Sequence, residues 1–184
     1  ELSERARARS LLDALAEASG RDVHAWARSW LRTTGTDTLR IVDGALEHPG
    51  DRPHLVAVGG YDRTDDGGLV RTSMPLVELP EGTQRVPLPS GPHALLLVND
   101  DDLTFALTRL DPASDAALAE SLASLERPLS RAVAWTHLRN RVRDADLAPL
   151  EHLALVRRHL PHEASTAIVD GVLGFARRAV VDRY

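Results

Sequence analysis

Gly20-Arg21-Asp22-Val23-His24-Ala25-Trp26-Ala27-Arg28-Ser29-Trp30-Leu31, then Thr33-Thr34-Gly35, then Thr38-Leu39-Arg40-Ile41-Val42, is the stretch where one architecture ends and another begins. Asp22 has the side chain of a helix N-cap. Behind it Val23, Trp26, Ala27, Trp30 and Leu31 fall on one helical stripe, and Gly35 is placed as the stop. From Thr38 the apolar period shortens to that of a strand. Helix gives way to sheet with no linker of flexible composition between them.

Working back from Gly20, Leu2 to Ser19 reads as a helix with Leu11, Leu12, Leu15 and Ala16 on one face. Working forward, strands are predicted at Leu39–Val42, His54–Tyr61, Leu69–Leu79, Thr83–Leu88, Ala94–Val98 and Thr104–Leu110. Asp65-Asp66-Gly67-Gly68 is a hairpin turn, and Pro49-Gly50, Pro80-Glu81-Gly82 and Ser90-Gly91-Pro92 break the other strands. Short strands with close turns imply an antiparallel sandwich, with Pro75 and Pro87 at edges or bulges. The run Leu95-Leu96-Leu97-Val98-Asn99-Asp100-Asp101-Asp102-Leu103-Thr104-Phe105-Ala106 closes this region.

Helices then return. Asp111-Pro112 is a cap followed by proline in the first turn, with Leu118, Leu122 and Leu125 inward. Pro128 opens the next helix, with Trp135, Leu138 and Val142 inward. Asp146 is expected to open a third, carrying Leu150, Leu153, Val156 and Leu160, which Pro161 breaks. A last helix carries Ile168, Val172, Phe175, Ala176 and Ala179. Short breaks imply antiparallel neighbours of the kind that stack into solenoids, and no polar capping helix precedes Tyr184, as in an array cut short. The expected class is an α+β multidomain fragment: short N-terminal helices, an antiparallel β-sandwich, then a solenoid-like helical-repeat segment.

Composition bounds the function. The chain has 184 residues, is 43% hydrophobic and carries a net charge of -5, with no cysteine. That permits a packed core, gives no general attraction to nucleic acid, and excludes disulfides and thiolate metal sites. No stretch reads as a membrane span or signal peptide, and the reducing cytoplasm is the expected compartment. All 22 basic residues are arginine, whose codons are rich in G and C. Scattered through every element, they read as surface charge rather than a set of anion sites.

Chemistry-bearing groups are sparse. A metallopeptidase helix needs histidines one turn apart with a glutamate to activate water. His159 and His162, followed by Glu163, come nearest, but Pro161 interrupts the helix that would align them. They read as solvated histidines near a helix end, and Glu151-His152 as an exposed pair. The acidic runs Asn99-Asp100-Asp101-Asp102 and Asp62, Asp65, Asp66 lack a calcium loop's glycine and distal glutamate and read as turns. No G-x-S-x-G elbow marks a nucleophile. Gly59-Gly60 and Gly67-Gly68 precede no helix that would cradle phosphate. Arg5, Arg7 and Arg9 fan around a helix surface. Trp26 and Trp30 read as core. The expected catalytic, cofactor and metal residues of this chain are therefore none.

The order of elements resembles the C-terminal part of zinc aminopeptidases of the aminopeptidase N family, actinobacterial members in particular. Ala25-Trp26-Ala27-Arg28-Ser29-Trp30-Leu31-Arg32-Thr33-Thr34-Gly35 resembles the family's helix leading into its β-sandwich. Leu96-Leu97-Val98-Asn99 through Thr104-Phe105-Ala106 resembles the closing hairpin of that sandwich. Pro128-Leu129-Ser130-Arg131-Ala132 with Trp135 resembles a helix of the helical domain that follows. The resemblance implies terminal helices of a thermolysin-like catalytic domain at 1–35, the β-sandwich at 36–111 and the start of the helical domain at 112–184. The family's H-E-x-x-H helix, G-A-M-E-N strand and catalytic tyrosine have no counterpart among the matched residues. The resemblance thus implies a non-catalytic scaffold and chamber wall. Its zinc, its peptide substrates and its main partner would belong to the rest of a longer chain, and a dimer would cover freshly exposed helix faces. The alternative is an autonomous module that binds peptides or proteins in a groove.

Overall fold

The computed structural model describes residues 2–89 and 91–182, with backbone alone for residues 2–8. Tyr184 and Ser90, and the side chains of Arg5 and Arg7, lie outside the described residues. Helices α1 (Leu2–Ser19) and α2 (Val23–Leu31) come first. Asp22 caps α2 as expected, its carboxylate accepting the Ala25 N–H at 2.8 Å. Gly20 sits at φ +66, the left-handed backbone that glycine tolerates best. Gly35 also has positive φ, 88, but lies beyond the helix end at Leu31. The predicted faces are only partly covered. Ala27 is buried, while Leu11, Leu15, Trp26 and Leu31 remain exposed.

Strands β1 (Thr38–Val42), β2 (Ala45–Glu47), β3 (His54–Arg63), β4 (Leu69–Ser73), β5 (Leu76–Leu79), β6 (Arg85–Pro87), β7 (Leu95–Val98) and β8 (Leu107–Arg109) follow. They form two four-stranded sheets. In one, the order is β6-β2-β1-β8. In the other, β3 pairs with β4, β5 and β7. The strand expected at Leu69–Leu79 is two strands interrupted at Met74-Pro75. Proline supplies no N–H to a ladder, yet its carbonyl accepts the Val58 N–H at 3.1 Å, and the register against β3 carries through the break. Pro87 lies on the edge strand β6, as its missing donor requires.

Two features correct the sequence reading. Strand β2 was not expected, because Ala45–Glu47 is too short to show alternation. The sheets are not wholly antiparallel either, since β1 and β8 run parallel, with Thr38 opposite Leu107 and Arg40 opposite Arg109. A parallel neighbour needs a long connection, and here that connection contains the whole second sheet as well as β2 and β6.

Helices α3 (Pro112–Ser121), α4 (Pro128–Arg143), α5 (Pro149–His159) and α6 (Thr166–Phe175) complete six α-helices among the described residues. Asp111 caps α3 by accepting the Ala113 and Ser114 N–H groups at 3.0 Å each. The third helix of this group opens at Pro149, not at Asp146. There the Glu151 carboxylate accepts the Ala148 N–H at 3.3 Å, while Asp146 pairs with Arg109. Its inner face also differs. His152, Val156 and His159 are buried and Leu150 is exposed. One hydrophobic cluster joins both sheets to the helices, running from Leu39 and Leu46 through Val56, Leu79 and Leu97 to Leu118, Trp135 and Leu138. Among the described residues no helix is long and apolar enough to cross a membrane.

Candidate metal centre at the helix–sheet junction

Next to the junction quoted at the outset lies an unusual polar cluster. The segment after α2 delivers Asp37 to the foot of β1. His48 follows β2, Pro49-Gly50 turns the chain, and His54 opens β3. Among the described residues, Asp37, His48 and His54 bring one ligating atom each within 4.8 Å of the others. His54 Nε2 lies 3.1 Å from Asp37 Oδ2. His48 Nε2 lies 3.6 Å from the same oxygen, too far for a hydrogen bond. The two imidazoles meet edge to face with centroids 4.6 Å apart.

The surroundings fix each group. His54 Nδ1 lies 2.7 Å from the Thr104 hydroxyl. Thr104 is placed by Asn99, whose side-chain oxygen accepts the Leu103 and Thr104 N–H groups and whose Nδ2 donates to the Thr104 carbonyl. Asp37 is tied to β8 by its carbonyl, which accepts the Leu107 N–H at 2.8 Å. Arg52 approaches Asp37 Oδ2 at 3.3 Å and donates to Ser29 O, Gly35 O, Thr34 O and the Thr33 hydroxyl. It stitches the end of α2 to the sheet beneath the Trp30 ring. Burial is the first cause that holds His54 below the ordinary imidazole value, so near neutrality its ring is uncharged and a nitrogen lone pair is available.

His48 is the anomaly. Its side chain is fully buried and neither ring nitrogen has a hydrogen-bond partner. Gly50 lies directly over it. A Cβ there would stand 2.8 Å from His48 Nε2 and 2.7 Å from Asp37 Oδ1. Sequence reading passed over these residues because no short motif links positions 37, 48 and 54. The available signal was a pair of histidines flanking a Pro-Gly turn.

The groups singled out from sequence are dispersed by the structure. His159 is buried on α5, with Nε2 lying 2.8 Å from the Ala119 carbonyl oxygen. His162 is exposed in the turn that follows, and Glu163 is gripped by Arg131. These residues do not converge as a peptidase zinc set would. His152 is also buried, correcting its reading as part of an exposed pair. Asp100 takes hydrogen bonds from Tyr61 and Arg71, Asp101 from Arg127, and Asn99 builds the turn at φ 62. Gly59 permits close approach rather than phosphate binding, since a Cβ would meet Asp100 Oδ2 at 2.2 Å. Trp30 is half-buried, whereas Trp26, expected in the core, is 46% exposed.

A second constellation was not anticipated. Ser73 Oγ lies 3.2 Å from His93 Nε2, and His93 Nδ1 lies 2.9 Å from Asp62 Oδ1. That is the order of nucleophile, base and orienting acid. The serine, however, is crowded by backbone. A Cβ on Gly60 would stand 2.3 Å from its Oγ. None of the three lines the groove of about 580 Å³ bordered by Trp26, Trp30, Leu55 and Leu103.

No family model matches the chain. Among curated proteins, aminopeptidase N of Streptomyces lividans is 34% identical over an alignment that covers 97% of this chain. The chain spans only about a quarter of that relative's length, 24%. Similarity over nearly the whole chain but a quarter of the relative shows that this chain corresponds to one segment of an aminopeptidase N.

Proposed function

We propose that this chain is a non-catalytic, C-terminal segment of a zinc-dependent aminopeptidase that removes N-terminal amino acids from peptides. The observation that carries the reading is the match to aminopeptidase N over 97% of the chain but 24% of the relative. In this reading residues 1–35 end the catalytic domain, 36–111 form a β-sandwich and 112–184 begin a helical-repeat domain. The chain supplies scaffold and part of the wall of the substrate chamber. Its main partner is the remainder of the longer polypeptide. In this reading the catalytic zinc belongs to that remainder, which agrees with the engagement of His159 by the Ala119 carbonyl and of Glu163 by Arg131.

Exposed apolar side chains support a partner of this kind. Leu11, Leu15, Trp26, Leu31, Leu55, Leu103 and Phe105 all stand in solvent, an arrangement that favours coverage by another surface. The native polypeptide should therefore be several times longer than 184 residues when source-cell extract is probed with an antibody against this segment. A native species of this size would overturn the reading in favour of an autonomous binding module using the groove beside Trp26 and Trp30. A dimer of the isolated chain, by light scattering, would show that the same faces pair with each other when nothing else covers them.

A further inference from the structure

We propose that Asp37, His48 and His54 form a binding site for a divalent transition-metal ion with the coordination habits of zinc. The donors are Asp37 Oδ2 and the Nε2 atoms of both histidines. The inference does not rest on the aminopeptidase reading.

Three observations converge on it. The first is spacing. Ligands about 2.0–2.1 Å from a tetrahedral ion stand about 3.3 Å from one another, and here the carboxylate oxygen lies 3.1 Å from one imidazole nitrogen and 3.6 Å from the other. The second is the orphan. A fully buried imidazole with no partner at either nitrogen is costly, and coordination gives Nε2 of His48 the partner it lacks. The third is the glycine beside the donors. A Cβ on Gly50 would stand 2.8 Å from His48 Nε2 and 2.7 Å from Asp37 Oδ1, so only glycine keeps a side chain off those two groups. Thr104 at Nδ1 of His54 orients that ring, as outer groups do around bound metals.

The donor set selects the ion. Two imidazoles and one carboxylate suit zinc, cobalt, nickel or copper and not calcium or magnesium, which require mostly oxygen. The Arg52 guanidinium, 3.3 Å from Asp37 Oδ2, adds repulsion that a weakly held oxygen-seeking ion would not overcome. A bound ion would pin together the start of β1, the β2–β3 turn and β3, directly beneath the end of α2. Its role would be structural, as a clasp at the junction.

The test uses the 184-residue chain stripped with a chelator, titrated calorimetrically with zinc and separately followed by visible absorbance with cobalt(II). A single equivalent of zinc should bind and raise the melting temperature. Cobalt should give a d–d band of tetrahedral intensity. His48→Gln should abolish both signals with its circular dichroism unchanged, and Gly50→Ala should weaken zinc binding at least about tenfold. His159→Gln and His162→Gln should leave binding as in the parent chain. Absence of zinc binding by the parent chain overturns the proposal. So does a folded His48→Gln chain that binds as before, since the ion would then sit on surface histidines. If His48→Gln does not fold, Gly50→Ala decides: unchanged affinity in that variant overturns the site.

Discussion

Arg131 grips Glu163 with a parallel pair of hydrogen bonds, Nε to Oε2 at 2.7 Å and Nη2 to Oε1 at 2.9 Å. Its remaining Nη1 donates to the Leu125 and Glu126 carbonyl oxygens. The Glu163 side chain is 2% exposed, and Arg131 is the first cause that holds its carboxyl below the ordinary range. One guanidinium therefore locks the loop before α4 to the turn after α5. Arg131→Met should destabilise the chain by about 3–5 kcal/mol, because it leaves a buried carboxylate unpaired. Arg131→Met with Glu163→Leu should recover most of that loss. Denaturant unfolding of the single and double variants checks it, and additive losses would contradict the pairing.

Tyr61 links the second sheet to α4 by donating to Asp100 Oδ2 at 2.8 Å, with Ser130 Oγ at 3.1 Å. Burial is the first cause that pushes its phenol upward, so it stays a donor throughout the useful pH range. Tyr61→Phe should cost about 1–3 kcal/mol, since Asp100 is fully buried and loses a donor. Gly59→Ala should cost more, because its methyl would be forced against the Asp100 carboxylate. Melting temperatures in the order wild type, Tyr61→Phe, Gly59→Ala are expected. A Gly59→Ala chain as stable as wild type would refute the close approach.

His152 lies between the Trp135 and Phe175 rings, with neither nitrogen partnered. Burial, and after it the Arg139 charge, pushes it down to about 4. The unfolded chain binds a proton near 6.5 that the folded chain refuses, so stability falls as pH drops from about 6.5 towards 4. The full loss is of the order of 3 kcal/mol. His152→Leu should remove that part of the slope and be more stable than wild type at pH 5. Identical slopes in the two chains would show that the imidazole is not refusing the proton.

Ser73, His93 and Asp62 should act as a cross-strand hydrogen-bond network. Backbone crowding at Gly60 leaves little space beside the hydroxyl, whereas acyl transfer needs donors aimed at a developing oxyanion. Ser73→Ala is expected to change stability by about 1 kcal/mol and to leave hydrolysis of an activated ester at the background rate of the parent chain. Serine-dependent turnover by the wild type would overturn this.

Local signals carried much of the fold. The Asp22 and Asp111 caps, the hairpin turn at Asp65–Gly68 and the inward Leu118, Trp135 and Leu138 were legible because each depends on neighbours within a turn or two. Strand β2 was too short to alternate, and the β1–β8 pairing depends on residues far apart in sequence. The burial of His152 and His159 was readable in principle, since with Val156 they fall on one helical face. Polarity argued against it, and the leucine-based face placed Leu150 inside instead. The Asp37, His48 and His54 cluster was invisible for a different reason. Its members approach only once the first sheet, with β1 and β2, and the second, with β3, have come together, and no spacing rule covers such a set.

The parallel pairing of β1 with β8 has a kinetic meaning. Thr38 cannot meet Leu107 until the intervening chain has been gathered in, and the entropy of closing so large a loop must be met before the contact returns anything. The hairpins of β3 with β4 and of β1 with β2 are local and can form early. The first sheet is therefore left with an open edge at β1 for as long as β8 is missing. During synthesis that edge would emerge well before its partner, and it is there that a half-made chain would be most open to pairing with a neighbour.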